Sequence, residues 1–141
     1  MRGQEVLHSK KSDEWVTPQQ VFDKLNEEFF FSLDAAATSE NAKCQKYFTK
    51  EDNALFQQWF GNVWLNPPYS RCKDFVKKAY EEVLEGNCKL VVLLIPSRTD
   101  TRWFHEYIYG QAEIRFIKGR LKFSDSKNAA PFPSMLVIFK I

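Results

Sequence analysis

Asn62-Val63-Trp64-Leu65-Asn66-Pro67-Pro68-Tyr69-Ser70 is the stretch that decides the fold. Asn62 to Leu65 reads as a short apolar strand. Asn66-Pro67-Pro68 stops it abruptly, because proline cannot continue a central ladder. Ser70 then opens a helix to about Leu84, with Phe75, Val76, Ala79, Tyr80 and Val83 on one face and Gly86-Asn87 as the stop.

Outward from that unit, strands keep alternating with helices. Downstream, Lys89 to Ile95 is the strongest strand, apolar at successive positions as expected when both faces are covered. Asp100 is expected to cap a short helix containing Trp103, Phe104, Tyr107 and Ile108 and ending at Gly110. Glu113–Ile117, Leu121–Phe123 and Met135–Phe139 follow as strands. Upstream, Thr17-Pro18-Gln19-Gln20 reads as a capped helix start, and Val21, Phe22, Leu25 and Phe29 recur at helical spacing from about 18 to 28. Phe29 to Leu33 reads as a buried strand ending at Asp34, and Tyr47-Phe48 as a short one. The alternation predicts an α/β fold with a mostly parallel sheet covered on both faces. The last two strands lack an intervening helix and are expected to pair as an antiparallel hairpin at one edge. Ligands of such sheets sit beyond the carboxyl ends of the strands, where Asp34-Ala35-Ala36 and Asn66-Pro67-Pro68-Tyr69 both fall.

The 141 residues fit a single domain, 1–141, and 44% hydrophobic residues with 13 Phe and 4 Trp argue for a packed core. The longest apolar run, Leu90–Ile95, is too short to cross a membrane. The first fifteen residues hold no apolar segment that could act as a secretory signal, so cytoplasmic residence is expected. Cys44, Cys72 and Cys88 are widely spaced, which suggests reduced thiols, and with only two histidines no metal site is expected. The net charge of +2 is uninformative, but its distribution is not: residues 110–141 carry six basic side chains against two acids, +4, and the remainder carries −2. A basic segment suits phosphate contact, or is simply a solvated face.

The four residues Asn66-Pro67-Pro68-Tyr69 match a demanding piece of chemistry. The exocyclic nitrogen of adenine is a poor nucleophile, because its lone pair is delocalised into the ring. Two acceptors gripping its two N–H groups favour a pyramidal nitrogen and free that pair. The Asn66 side-chain oxygen supplies one acceptor, and a backbone carbonyl held rigid by Pro67 and Pro68 supplies the other. Tyr69 can offer its ring face to a base taken out of the duplex. The competing reading is an ordinary tight turn. Asp34 can receive the ammonium of a methionine-derived cofactor, with Ala35, Ala36 and Ala37 allowing close backbone approach. It can equally be a helix cap. Asp52 is a candidate for ribose hydroxyls or a solvated loop acid.

Asp13-Glu14-Trp15-Val16-Thr17-Pro18, Leu33-Asp34-Ala35-Ala36-Ala37 and Asn66-Pro67-Pro68-Tyr69, in this order, resemble the phage-type adenine-N6 DNA methyltransferases of the Dam group. Pro96, Trp103-Phe104, Gly119-Arg120-Leu121-Lys122-Phe123 and Pro133-Ser134-Met135 look similar too, so the resemblance runs from about Ser12 to the C-terminus. It implies a Rossmann-like class I methyltransferase fold, S-adenosylmethionine as methyl donor, and adenine in double-stranded DNA as acceptor. By that resemblance Trp15, Thr17 and Pro18 hold the cofactor with Asp34, Ala35, Ala36 and Asn66. Asn66, Pro67 and Tyr69 hold the adenine, and Arg98, Arg120 and Lys122 are DNA-contact candidates. The sequence departs from the wider class in lacking a glycine-rich cofactor loop. Only 31 residues separate Asp34 from Asn66, which implies an abbreviated cofactor half. No insertion is large enough for a target-recognition domain, so loose specificity or a homodimer is expected. The alternatives are an inactive nucleic-acid-binding module and an amino methyltransferase for cytosine N4 or RNA.

Overall fold

The computed structural model describes residues 15–124 and 126–141. Asp13 and Glu14 of the opening motif, and Asp125, lie outside the described residues.

Helix α1 spans Gln19–Phe29, and its buried Phe22, Leu25 and Phe29 follow the helical spacing of the sequence. Thr17 does not cap it. Pro18 occupies the cap position with no side-chain bond, and its carbonyl takes the N–H groups of Val21 and Phe22. The strand expected from Phe29 to Leu33 shrinks to β1, Leu33–Asp34. Phe29 is needed on the helix's buried face, and Phe30 then turns left-handed at φ 51° to end it. The Asn26 side chain holds the Phe31 N–H beyond that turn.

β2 spans Asn62–Leu65, a 3-10 turn Tyr69–Arg71, helix α2 Cys72–Leu84 and β3 Leu90–Pro96. β1, β2 and β3 pair in parallel. Gly61, at φ +64°, enters β2 where a Cβ would lie 2.7 Å from Ser32 Oγ, so glycine is required by both conformation and space. The segment after β3 winds as a π-helical turn, Phe104–Ile108, whose Phe104 N–H donates to Thr101 Oγ1; Thr101 rather than Asp100 starts it. β4 spans Glu113–Phe116 and β5 Ser134–Lys140.

The sheet order is β1-β2-β3-β5-β4. β5 runs antiparallel to both β3 and β4, so four strands point one way and one opposes them. Two expectations are corrected here. The last strand is not at the edge: it is inserted between β3 and β4, because the five apolar residues Met135–Phe139, buried on both faces, need neighbours on both sides. Leu121–Phe123 is not a strand but part of a loop. Phe123 is apolar because it anchors that loop, buried against Trp15 at 5.3 Å. Gly119 turns the loop at φ +74°.

Side chains alternate across the sheet. Val63, Leu65, Val91, Leu93, Ile95, Met135 and Val137 face α2 with its Phe75, Val76 and Ala79. Trp64, Val92, Leu94, Leu136 and Ile138 face α1, Phe123 and Ala130. Each fully buried aliphatic side chain contributes roughly 1.5–3 kcal/mol, so β3, filled on both faces, is the keel of the molecule.

Candidate functional site

Because β1 and β2 are adjacent and parallel, with Asp34 beside Trp64, their carboxyl ends open on one rim. Residues 46–48 close the outer side of β1: the Asp34 N–H donates to the Lys46 carbonyl and the Phe48 N–H to the Asp34 carbonyl. The sequence's short strand at Tyr47-Phe48 is this single bridge. A cavity of about 850 Å³ lies at the rim, walled by residues 15–17, 34–41 and 49–51 with Asn66, Pro68 and Arg71. That volume falls in the range of small-molecule sites.

The structure thus gathers Trp15, Thr17, Asp34, Ala35, Ala36, Asn66 and Pro68 around one cavity, across sequence separations of up to 53 residues. Pro18 caps α1 just outside the wall. Pro67 is buried beneath the motif. Asp52 turns away: both the N–H and the hydroxyl of Thr49 donate to its carboxylate, at 2.8 and 3.0 Å. Arg98, Arg120 and Lys122 are exposed. Sequence reading missed Glu40, Lys43 and Lys50, which line the cavity from the loop after β1. The only available signal was a polar run following an apolar strand.

Asn66 is held by its amide nitrogen, which donates to the Trp15 carbonyl and to Thr17 Oγ1 at 2.9 Å. A carbonyl only accepts, so the nitrogen must face Trp15. The other end of the amide, Oδ1, is buried and without a hydrogen-bond partner among the described residues. This explains why Thr17, 3% exposed, forgoes capping α1: its hydroxyl is spent on orienting Asn66. The opening segment is itself pinned by the basic loop, since the Ser124 N–H donates to the Val16 carbonyl and the Ser124 hydroxyl to the Thr17 carbonyl.

Asp34 is 2% exposed and accepts the N–H of Lys43 at 3.0 Å and of Ala36 at 3.3 Å. Burial pushes its pKa up to about 6, partly countered by those two N–H groups and by the Lys43 charge. Lys43 donates its ammonium to Gln19 Oε1 at 2.8 Å; burial lowers its pKa, and Asp34 opposes that shift.

The turn bond of the Asn-Pro-Pro-Tyr motif runs from the Arg71 N–H to the Pro68 carbonyl, 2.9 Å, and so does not use the carbonyl of Pro67. The Tyr69 hydroxyl donates to the Leu94 carbonyl at 3.3 Å, and its ring meets Phe132 edge-on at 5.6 Å. Burial raises the Tyr69 pKa well above the phenol range. It therefore remains neutral and is no proton acceptor at physiological pH.

A family model described as DNA N-6-adenine-methyltransferase (Dam) matches residues 4–141. The chain is 42% identical over 112 residues to the DNA N-6-adenine-methyltransferase of Escherichia phage T1, covering 77% of this chain and 46% of that protein. It is 34% identical over 145 residues to the DNA N-6-adenine-methyltransferase of Haemophilus phage HP1, covering 94% of this chain and 83% of that one. The chain spans about half the length of the first relative and most of the second.

Proposed function

The chain belongs to the DNA N-6-adenine-methyltransferase (Dam) family, and from that premise we propose that it transfers a methyl group from S-adenosylmethionine to adenine N6 in double-stranded DNA, on a Rossmann-like class I scaffold. One observation carries the reading. Asn66 has both its donors committed to the Trp15–Thr17 segment and its one acceptor buried and unpartnered. A turn residue has no reason to leave an acceptor in that state, which costs about 1–3 kcal/mol. An amine donor supplied by a substrate satisfies it.

The residues present also fit the cofactor. Asp34, a buried carboxylate at a cavity wall, suits the ammonium of the methionine moiety. Lys43 and Lys50, which line the same cavity, suit its carboxylate, and Trp15 offers an aromatic flank. When bound, S-adenosylmethionine supplies an electrophilic methyl on a sulfonium. The protein's part is positional. Asn66 Oδ1 and the Pro67 carbonyl receive the two N6–H groups, favour a pyramidal nitrogen and free its lone pair. The base must leave the stack to reach them, and Tyr69 gives it a ring to rest on. No strong base is needed, because the nitrogen becomes highly acidic once alkylated. Arg98, Arg120 and Lys122, all exposed, are the candidates for phosphate contact.

The test is expression in cells devoid of adenine methylation, followed by sequencing with modified-base detection. N6-methyladenine is expected with the wild-type chain and absent with Asn66→Ala. Methylated cytosine or labelled RNA in its place would overturn the choice of acceptor. Cofactor binding without any methylated polymer would favour a binding module.

A further inference from the structure

Among the described residues, three buried side-chain polar atoms lack a hydrogen-bond partner: Asn66 Oδ1, Ser97 Oγ and Ser134 Oγ. All three lie at the same rim of the sheet. A substrate amine accounts for Asn66 Oδ1 but for neither serine. Buried hydroxyls without partners are rare and unfavourable, so a position that keeps one calls for a reason.

Ser134 is 1% exposed and its backbone is fixed on both sides. It pairs with Pro96 across the β3–β5 ladder, and its carbonyl accepts the Ile117 N–H at 3.2 Å. The Ser97 N–H donates to the Pro133 carbonyl at 2.9 Å, which extends the ladder past Ser134. Alternation sets Ser134 on the face of Leu136 and Ile138. It sets Asn66 on the face of Trp64, and these belong to one face of the sheet. Only β3 separates their strands, two strand spacings or roughly 10 Å. Ser134 also lies about two residues further along the rim than Asn66, because Leu65 is level with Leu93 and Pro96 with Ser134, so an extruded base would bridge the two positions obliquely. The approach to Ser134 is wrapped on the motif itself, since Phe132 meets Trp15 at 5.3 Å and Tyr69 at 5.6 Å.

Adenine N6 is flanked by two ring acceptors, N1 and N7, whereas the amine of cytosine has a ring nitrogen on one flank and a C–H on the other. Asn66 and the Pro67 carbonyl are acceptors and cannot read those nitrogens; a hydroxyl can. Resting on the adenine-methylation reading, we infer that Ser134 donates its hydroxyl to a ring nitrogen of the extruded adenine, making it a specificity-determining residue of the base pocket. Ser97 follows Leu93 and Ile95 in the alternation, onto the opposite face of the sheet, and so serves as the control.

The experiment compares wild type, Ser134→Ala, Ser134→Cys and Ser97→Ala on DNA containing adenine, 7-deazaadenine or 1-deazaadenine. On ordinary DNA, Ser134→Ala is expected to lose tenfold or more in kcat/KM. Its affinity for S-adenosylmethionine should be unchanged, and its Tm unchanged or higher, because a lone buried hydroxyl has been removed. Ser134→Cys, similar in volume and a weaker donor, should fall between. On the deaza-DNA lacking the partner nitrogen, wild type should drop to the level of Ser134→Ala, which itself loses nothing further. Full activity of Ser134→Ala on ordinary DNA, or a loss of the same size on both analogues, overturns the assignment. If the wild type methylates no DNA adenine at all, the underlying enzymatic reading falls with it; if the wild type is active and Ser134→Ala matches it, only the role of Ser134 falls.

Discussion

Asp34→Asn should make this protein more stable and worse at holding its cofactor. The carboxyl is 2% exposed and its pKa is raised by burial from 3.8 to about 6. About two units correspond to about 3 kcal/mol disfavouring the ionised form in the fold. The folded pKa lies above the unfolded one, so this penalty is absent below about pH 4, grows between about pH 4 and 6, and is constant above. The cofactor-free protein should lose stability through that window as pH rises. Asparagine removes the charge but meets one of the Lys43 and Ala36 N–H groups with a second donor, returning about 1–2 kcal/mol. The net gain at pH 7 is about 1–2 kcal/mol, or roughly 3–6 °C in Tm for a chain of this length. Against that, losing a charge-assisted bond to the cofactor ammonium costs about 1.5–3 kcal/mol, a roughly tenfold to hundredfold rise in Kd. Calorimetric unfolding and titration with S-adenosylmethionine between pH 5 and 8 measure both. Wild-type affinity should weaken as Asp34 protonates below about pH 6, and the variant's should be flat. A variant less stable at pH 7 that binds cofactor like wild type would refute the reasoning and make Asp34 a structural acceptor for its two N–H groups.

Asn66→Ala should abolish methylation while leaving cofactor binding within about tenfold, roughly 1.4 kcal/mol; single-turnover assays beside equilibrium titration separate the two. Tyr69→Phe removes only the bond to the Leu94 carbonyl and should keep most activity, whereas Tyr69→Ala should lose about 1–3 kcal/mol of base stacking, read as kcat/KM. Glu82, 4% exposed, accepts the Trp59 N–H at 2.6 Å and the Asn87 amide at 3.0 Å. Glu82→Ala should therefore destabilise by about 3 kcal/mol, and Glu82→Gln by about 1, in urea unfolding with no change in cofactor affinity. Arg120→Ala, at an exposed position, should weaken DNA binding uniformly across sequences and reduce the salt slope by about one; an unchanged slope would remove Arg120 from the interface.

The sequence by itself determined the strand–turn–helix around Asn66-Pro67-Pro68-Tyr69, the buried strand at Leu90–Ile95, helix α1, and the chemistry that Asn66 invites. These are local matters: apolar spacing, proline's missing N–H and the hydrogen-bonding inventory of an amide act within a few residues. Only the tertiary structure decided where the last strand goes, because an apolar run reports that it is buried and not between which neighbours. It decided that Phe29 belongs to a helix and that Leu121–Phe123 is a loop, since an anchoring aromatic and a strand aromatic look alike in one dimension. It moved Thr17 from a helix cap to the support of Asn66, 49 residues away, and turned Asp52 into its own loop. It also exposed the unpartnered hydroxyl of Ser134. Whether a polar atom has a partner depends on every segment packed around it, and no stretch of sequence carries that information alone.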